Sequence, residues 1–167
     1  MTKLVPGWEG RYFEDFEVGD LYRCRYGRTV TEADNVQFSL LTNNTNQMHF
    51  NREYGKRTEW GQPLVNSALT LSIVMGMGVA DVSENGFALG WDDVRLPNPL
   101  FAGDTLYSES EVVEKRESKS RPGQGVVKVL TRGYNQRGEV VIEFRRSVMV
   151  WKRDQAPARD LFPAPPP

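Results

Sequence analysis

The sequence predicts an α+β domain in which an antiparallel sheet is wrapped around one central buried helix. Residues 64–79 are apolar on nearly every side of a helix, and such a helix needs other structure around it. Everything after Gly86 shows the two-residue alternation and the turn signals of strands. A sheet needs an apolar cover and this helix needs enclosure, so one shared core satisfies both. A chain of 167 residues is long enough for one such core, and two are not expected.

The first elements are a strand and an amphipathic helix. In residues 21–29, aromatic and apolar side chains alternate with arginines and a glycine, which is the period of a half-buried strand. Thr31 then supplies an N-cap hydroxyl, and acidic residues follow in the first helical turn. We expect this helix to end at the asparagine-rich run 42–49 and to have an apolar face made of Val36, Phe38, Leu40 and Leu41.

The remaining elements follow in chain order. A short helical turn is expected within residues 50–56, and Gly61 and Pro63 interrupt the chain before the central helix. Residues 121–123 and 135–138 carry turn signals that separate consecutive strands. We expect a four-stranded meander, with strands at 87–96, 105–116, 125–134 and 140–151.

The domain boundaries follow from composition. Residues 1–15 are expected to form an N-terminal extension, residues 16–152 the single folded domain, and residues 153–167 a tail rich in proline and alanine. Proline fixes φ and removes a backbone donor, so the tail is expected to lie on the surface or against a neighbour rather than join the sheet.

Charge and composition exclude several classes of partner and site. The formal net charge is −1, so no global positive field attracts nucleic acid or an anionic membrane, and we expect a small molecule or a protein as partner. Cys24 is the only cysteine and His49 the only histidine, which excludes an internal disulfide and a conventional Cys/His zinc site within one chain. No metal or redox cofactor is expected. The start of the chain lacks the pattern of a secretory signal, and polar residues interrupt 64–82, so we expect a cytoplasmic protein without a membrane span.

The most informative segment is the polar run 42–49, which lies between the first helix and the approach to the central one. It places the amides of Asn44 and Asn46 and the imidazole of His49 on one short irregular segment, able to converge on a small reactive group. The alternative is structural, with the asparagines forming Asx turns and His49 lying near a helix start. The loop alone leaves both interpretations open.

Two further motifs extend this pattern. Beyond the central helix the chain carries Val-Arg-Leu-Pro at 94–97 and Gly-Asp-Thr-Leu at 103–106. This order resembles the MaoC-like, or (R)-specific enoyl-CoA hydratase, family of the hot dog fold, and the similarity extends over residues 16–152. The family's loop reads small, Gly, Asp, any, Asn, Pro, apolar, His, and residues 42–49 occupy those places. The resemblance implies a sheet wrapped around a helix and a hydratase or dehydratase that acts on an acyl-CoA.

Three positions of the loop depart from the family's pattern. Asn43 stands in place of the glycine, Asn44 in place of the usual catalytic aspartate, and Gln47 in place of the proline. Together with residues 27–35, the run resembles the subgroup associated with itaconyl-CoA or mesaconyl-CoA hydration. In that subgroup an asparagine is also found at the place of Asn44. An asparagine side chain cannot accept a proton near neutral pH, so Asn44 is expected to hold and orient a water molecule.

Hydration of a double bond conjugated to a thioester assigns roles to these residues. The reaction needs a base for water, a proton for the α-carbon, and donors for an enolate-like oxygen. His49 is the expected proton carrier, working on one face of the substrate. The resemblance implies that Asn46 supports the loop or the substrate, and we expect the backbone N–H of Ser67, at a helix start, to face the thioester carbonyl. Simple capping of the helix by Ser67 and Asn66 remains open.

Residues outside the run are weaker candidates. Arg95 and Arg57 would meet a substrate carboxylate or a CoA phosphate by bidentate pairing. Trp60 and Trp91 would line the acyl pocket, with core packing as the alternative. Glu59 and Asp34 are acidic candidates for a proton donor, against a simpler role for each as a solvated or capping charge.

Two classes of function are favoured over a third, thioester hydrolysis on the same fold, because the chain matches the hydratase loop rather than a helix-borne carboxylate nucleophile. The first is an enzyme, an enoyl-CoA hydratase or 3-hydroxyacyl-CoA dehydratase, and the resemblance implies at least a dimer with the two sheets joined edge to edge. The second is a non-catalytic hot dog module that binds an acyl-CoA and lost its activity with the change to Asn44. Replacement of His49 by Ala separates them, because it should abolish turnover in the first case and leave acyl-CoA binding nearly unchanged in the second.

Overall fold

The structure, a computed structural model, describes residues 2–159 and 162–163, and it contains one antiparallel sheet and four α-helices in that part of the chain. The helices are α1 (Glu32–Leu41), α2 (Arg52–Gly55), α3 (Ser67–Met77) and α4 (Val79–Val82). The strands are β1 (Leu21–Arg23), β2 (Arg28–Thr29), β3 (Gly86–Arg95), β4 (Thr105–Glu117), β5 (Gln124–Tyr134) and β6 (Val140–Trp151). The sheet order is β1-β4-β5-β6-β3, and β2 also pairs with β4. The predicted α+β class is confirmed.

The sheet is not the four-stranded meander that the sequence predicted. β4, β5 and β6 follow one another as antiparallel neighbours, but β3 pairs with β6 and lies at the edge, while β1 and β2 pair with the other side of β4. The connection between β3 and β4, which carries Pro97 and Pro99, takes the chain from one edge of the sheet towards the other. The alternation along a strand reports its buried face and not its partner, so the pattern could not reveal this order.

The predicted strand at 21–29 consists of two short strands, because the chain bends at Arg25 and Tyr26. Both strands pair with β4. At Gly27 the backbone passes so close to β4 that an added Cβ would lie 2.6 Å from the Tyr107 ring. Glycine therefore permits the close approach that continues the pairing after the bend.

The core lies between the sheet and one face of α3. Val74 on α3 approaches the sheet closely at Gly133, where an added Cβ would lie 2.6 Å from a Val74 methyl group. A first cluster of buried apolar residues surrounds this contact, and a second one is closed by the N-terminal segment. The first includes Leu69, Val74, Met77, Leu106, Ile142 and Phe144, and the second Phe13, Phe16, Val82, Val127, Val129 and Val148.

α3 is not enclosed on every side by this chain. The side chains of Leu69, Val74 and Met77 are buried, whereas Ser67, Ala68, Ser72 and Gly76 are exposed. Among the described residues, β3 has no strand on its outer side. Five large apolar side chains on or next to this edge are 40–49% exposed, namely Phe87, Leu89, Trp91, Val94 and Leu96. One chain therefore supplies only part of the enclosure that the sequence predicted.

α1 buries polar residues in place of most of the predicted apolar face. Leu40 and Leu41 are 59% and 83% exposed, so the prediction for these two is wrong. Phe38 is partly buried against the first cluster. Asn35 and Ser39, one turn apart, are only 2% and 0% exposed. Hydrogen bonds to neighbouring segments satisfy these polar groups, which is why hydrophobic spacing misassigned the buried face.

Both predicted ends of α1 are confirmed. The Thr31 hydroxyl accepts from the Asp34 N–H, and the Asp34 carboxylate accepts from the Thr31 N–H, which makes a capping box. Just beyond the helix Asn43 has φ of 54°, in the left-handed region. Glycine adopts this conformation freely and asparagine tolerates it, so Asn43 can stand at the position of the glycine.

Segments at both ends of the described chain contact the loop after α4. The side-chain amide of Asn85 donates to the carbonyls of Glu9 and Arg11, and Arg159 donates to Asn85 Oδ1 and pairs with Glu84. Residues 160–161 and 164–167 of the predicted tail lie outside the described residues. Within the described ranges, no helix combines the length and the apolar character needed to cross a membrane.

Candidate active site

His49 lies close to the start of the central helix, in a short 3₁₀ helix at Gln47–His49. The residue is 8% exposed, and its ring Nδ1 lies 2.9 Å from the carbonyl oxygen of Leu64, three residues before α3 begins. A carbonyl oxygen only accepts, so in this hydrogen bond Nδ1 carries the hydrogen, and Nε2 of the neutral ring keeps its lone pair. The imidazole is therefore set to accept a proton at Nε2.

The side chains of the polar run form the turns that the structural interpretation expects. Asn44 Oδ1 accepts from the Asn46 N–H at 3.0 Å, and Asn46 Oδ1 accepts from the Met48 N–H at 3.1 Å. Gln47, at the position of the family's proline, accepts a hydrogen bond from Asn51 Nδ2. Asn44 Nδ2 has no acceptor among the described residues, so this amide is the part of the Asn44 side chain left for a ligand.

Asn66 caps α3 and is 3% exposed. Its Oδ1 accepts from the Ala68 N–H at 2.9 Å, and its Nδ2 donates to Ser39 Oγ at 3.2 Å, so capping by Asn66 is confirmed. The backbone N–H of Ser67 has no acceptor in the described part of the chain, as is usual in the first turn of a helix. The positive end of the helix dipole thus carries a free donor at Ser67.

An apolar cavity of about 250 Å³ opens beside Ser67. Leu64 forms part of its wall, and the carbonyl of the same residue binds the His49 ring. Thr70 and Asn98 are polar residues of the wall, which is otherwise largely aliphatic, aromatic or proline. Such a lining suits a small acyl group. The other lining residues are Trp60, Val65, Leu96, Pro97, Pro99, Leu100 and Val141.

Asn35 on α1 connects these parts and was not among the predicted site residues. Its Nδ2 donates to the carbonyl of His49 at 2.7 Å and to that of Leu64 at 3.1 Å, and its Oδ1 accepts from the Asn66 N–H at 2.8 Å. The signal in the sequence is the pair Asn35 and Ser39 at i and i+4. Two polar residues one turn apart on a core helix indicate a built polar contact.

Several other candidates lie apart from this cluster. Arg95, at the end of β3, is exposed and forms no side-chain hydrogen bond or ion pair with the residues that the structure describes, although Leu96 next to it lines the cavity. Trp60 lines the cavity, whereas Trp91 is 44% exposed on the edge strand and does not. Arg57 is exposed and is not part of the wall.

Asp34 is a capping carboxylate and not a proton donor. Arg28 binds both of its oxygens, at 2.9 and 3.2 Å. These hydrogen bonds from Arg28, followed by those from the backbone and hydroxyl of Thr31, lower the pKa of Asp34 to about 2. The carboxyl group is ionised at neutral pH and has no proton to give.

Comparison with known families gives one description for nearly the whole chain. The family model described as mesaconyl-CoA hydratase matches residues 7–160. A mesaconyl-CoA hydratase from Cereibacter sphaeroides is 36% identical over 159 residues, which are 95% of this chain and 45% of that protein. The chain spans about half the length of the mesaconyl-CoA hydratases that it matches.

Solved structures agree with the described architecture. A MaoC domain protein from Chloroflexus aurantiacus superimposes with a TM-score of 0.85 at 33% identity, over 98% of this chain and 47% of that one. A Mycobacterium tuberculosis protein described as a double hotdog fold has a TM-score of 0.79 at 21% identity, over 93% of this chain and 47% of that one. The predicted hot dog fold is confirmed, and this chain matches about half of the double-fold protein.

Proposed function

This chain belongs to the mesaconyl-CoA hydratase family of MaoC-like proteins, and we propose that it adds water to the double bond of an enoyl-CoA thioester or removes it again. The proposed substrates carry a small branched or dicarboxylic acyl group, such as mesaconyl-CoA or itaconyl-CoA. The relatives named as mesaconyl-CoA hydratases support this substrate class, and the volume of the cavity supports a small acyl group.

The observation that carries the proposal is the hydrogen bond from His49 Nδ1 to the Leu64 carbonyl. It leaves a basic nitrogen, Nε2, on a ring that is 8% exposed. The free N–H of Ser67 lies three residues beyond Leu64, at the start of α3 and on the wall of the cavity. His49 is not itself among the described residues of this wall, and it is joined to the wall through the carbonyl of Leu64. Hydration of a thioester-conjugated double bond requires a base and an oxyanion donor, and His49 and the Ser67 N–H are the groups that we propose for these roles.

The proposed reaction uses one imidazole for both proton transfers. Nε2 of His49 accepts a proton from water while the water oxygen forms a bond to the β-carbon. The electron pair of the double bond moves towards the thioester, and the N–H of Ser67 binds the oxygen that gains negative charge. Nε2 then returns the proton to the α-carbon on the same face, so one water is added and the neutral ring is restored. Dehydration follows the same steps in reverse.

Asn44 orients the water in this mechanism. Its Oδ1 is engaged by the Asn46 N–H, and its Nδ2 can donate to the water oxygen without accepting any proton. In the proposal Asn46 holds this loop, Asn66 holds the helix start, and the exposed cation of Arg95 meets a carboxylate or phosphate of the substrate.

A homodimer in the cytoplasm completes the proposal. The unpaired outer side of β3 and its exposed apolar side chains support a second copy at this edge. The chain also covers 47% of a protein with a double hotdog fold, so a second copy would stand where that protein has its other half.

Turnover of enoyl-CoA thioesters tests the proposal. Purified protein incubated with mesaconyl-CoA, itaconyl-CoA and crotonyl-CoA is expected to reduce the absorbance of the conjugated thioester for at least one of them. His49→Ala should lower kcat by about 100-fold or more, because general acid–base catalysis contributes about 10²–10⁴-fold. Thr45→Ala is the control, since Thr45 is an exposed residue of the same loop without a side-chain hydrogen bond among the described residues. Full activity of His49→Ala would contradict the mechanism.

The alternative function, an acyl-CoA-binding module without catalysis, is favoured by one observation, the engagement of Asn44 Oδ1 within its own loop. Binding of an acyl-CoA by the wild type and by His49→Ala with equal affinity, measured by calorimetry, together with no turnover of any of the three thioesters, would establish this alternative.

A further inference from the structure

We infer that Asn35 is a positioning residue that sets the tautomer and place of the His49 ring; the inference rests on the proposed function. Asn35 belongs to α1, outside the loop that carries His49 and outside the helix that carries the Ser67 N–H. One carboxamide nevertheless joins the backbone of both.

All hydrogen bonds of the Asn35 side chain are made at one junction, which consists of the backbone groups of His49, Leu64 and Asn66. Its two N–H groups reach the carbonyls of His49 at 2.7 Å and Leu64 at 3.1 Å, and its Oδ1 accepts from the Asn66 N–H at 2.8 Å. The residue is 2% exposed, so its side chain is shielded from solvent. A buried carboxamide whose hydrogen bonds all go to one site holds that site together and is not a solvated side chain.

The Leu64 carbonyl is the link to the imidazole. It accepts from Asn35 Nδ2 at 3.1 Å and from His49 Nδ1 at 2.9 Å, one bond for each lone pair. Asn35 thus fixes the direction of the oxygen that keeps the hydrogen on Nδ1. Because Nε2 is the proposed base, a side chain that fixes the Leu64 carbonyl also determines which ring nitrogen is free to accept a proton.

The same side chain also locates the oxyanion donor. Asn35 Oδ1 holds the N–H of Asn66, and Ser67 is the next residue. The positions of the His49 ring and of the free Ser67 N–H therefore both depend on the Asn35 carboxamide. A misplacement of about 1 Å between such groups can cost about 100-fold in rate.

Ser39 provides a matched control. It lies one turn after Asn35 on α1, is 0% exposed, and accepts a hydrogen bond from Asn66 Nδ2 at 3.2 Å. No hydrogen bond between its side chain and His49 or Leu64 occurs among the described residues. Ser39→Ala therefore removes a buried hydrogen bond from the same junction without touching the carbonyl that holds the ring.

The first measurement compares steady-state kinetics of Asn35→Ala, Asn35→Asp and Ser39→Ala with the best thioester substrate. Both Asn35 variants should lose at least about 10-fold in kcat with KM within about threefold, because the chemical step is misaligned while the cavity is intact. Ser39→Ala should stay within about twofold of the wild type. Circular dichroism identifies the variants that fold.

The second measurement observes the ring directly. The chain contains one histidine, so a ¹⁵N spectrum of tag-free protein reports His49 alone. At a pH where the ring is neutral, the wild type and Ser39→Ala should show hydrogen on Nδ1, and the Asn35 variants should show a shift towards hydrogen on Nε2.

Retention of the Nδ1–H form in a folded Asn35 variant, or a loss of kcat no larger than that of Ser39→Ala, overturns the inference. Loss of fold in both Asn35 variants, with Ser39→Ala folded, also overturns it in favour of a purely structural role. If the wild type turns over none of the thioesters, the proposed function fails, while the spectrum still decides whether Asn35 sets the tautomer.

Discussion

At the residue scale, the carboxamide is the side chain that builds this site. Asn35 joins α1 to the loop and to α3, Asn66 caps α3, and Asn44 and Asn46 close turns within the loop. A carboxamide donates and accepts at once and carries no charge, so it can satisfy buried backbone groups without the desolvation cost of an ion. In the proposed mechanism these neutral side chains leave proton transfer to His49.

Asn43 gives a prediction at this scale. Its φ of 54° costs a residue with a Cβ about 1–2 kcal/mol, and asparagine bears this cost better than alanine does. We expect Asn43→Ala to lower the free energy of unfolding by about 1 kcal/mol, and Asn43→Gly to stay within about 0.5 kcal/mol of the wild type. Urea unfolding of the three proteins measures both. Equal stability of the alanine variant and the wild type would speak against the left-handed turn.

At the scale of elements, α1 is defined by its caps and not by an apolar face. The capping box of Thr31 and Asp34 begins the helix, and the polar pair Asn35 and Ser39 anchors it to the rest of the domain. The exposed Leu40 and Leu41 contribute little burial within this chain. The charge of Asp34 at the N-terminal cap should therefore contribute measurably to the free energy of unfolding of the domain.

The pH dependence of stability tests the cap. The pKa of Asp34 is lowered from 3.8 to about 2 in the folded chain, mainly by Arg28. A lowered folded-state pKa gives stability that is present above the unfolded value near 3.8 and is lost as pH falls towards 2. We expect Asp34→Asn to be less stable than the wild type at pH 6, with the difference shrinking as pH approaches 2. Urea titrations at four pH values measure the difference, and Glu59→Gln, at an exposed residue without an ion pair among the described residues, is the control. A difference that does not change with pH would contradict the pairing.

The sequence predicted elements better than their arrangement. The strands β4, β5 and β6, the cap at Thr31 and the position of His49 before the central helix follow from local periodicity and local side-chain chemistry. The pairing of β3 with β6 depends on residues 48 to 64 positions apart, which alternation along one strand cannot report. Asn35 was missed for a related reason, because its partners at 49, 64 and 66 are distant in sequence.

At the scale of the whole molecule, one chain leaves its central helix half covered and its edge strand unpaired within the described residues. The exposed apolar side chains of β3 form the surface that a second copy would cover. Charges placed on this edge should therefore prevent association without disturbing the core.

Light scattering after size-exclusion chromatography tests this association. The wild type is expected to elute as a dimer, and Leu89→Lys, at a position that is 49% exposed on β3, is expected to elute as a monomer because the edge would then bury a charge. Leu41→Lys makes the same chemical change on α1, where the leucine is 83% exposed, and should remain dimeric. A dimeric Leu89→Lys protein would move the interface away from this edge.

The irregular backbone of β3 limits how another strand can pair with this edge of the sheet. Its register with β6 shifts between Ala88 and Gly90 and again between Asp92 and Arg95, and Asp93 has φ of 52°. A strand with two such irregularities offers a second strand only a short straight stretch. We therefore expect association at this edge to end with one partner, whereas a flat edge of equal hydrophobicity is a template for continued strand pairing.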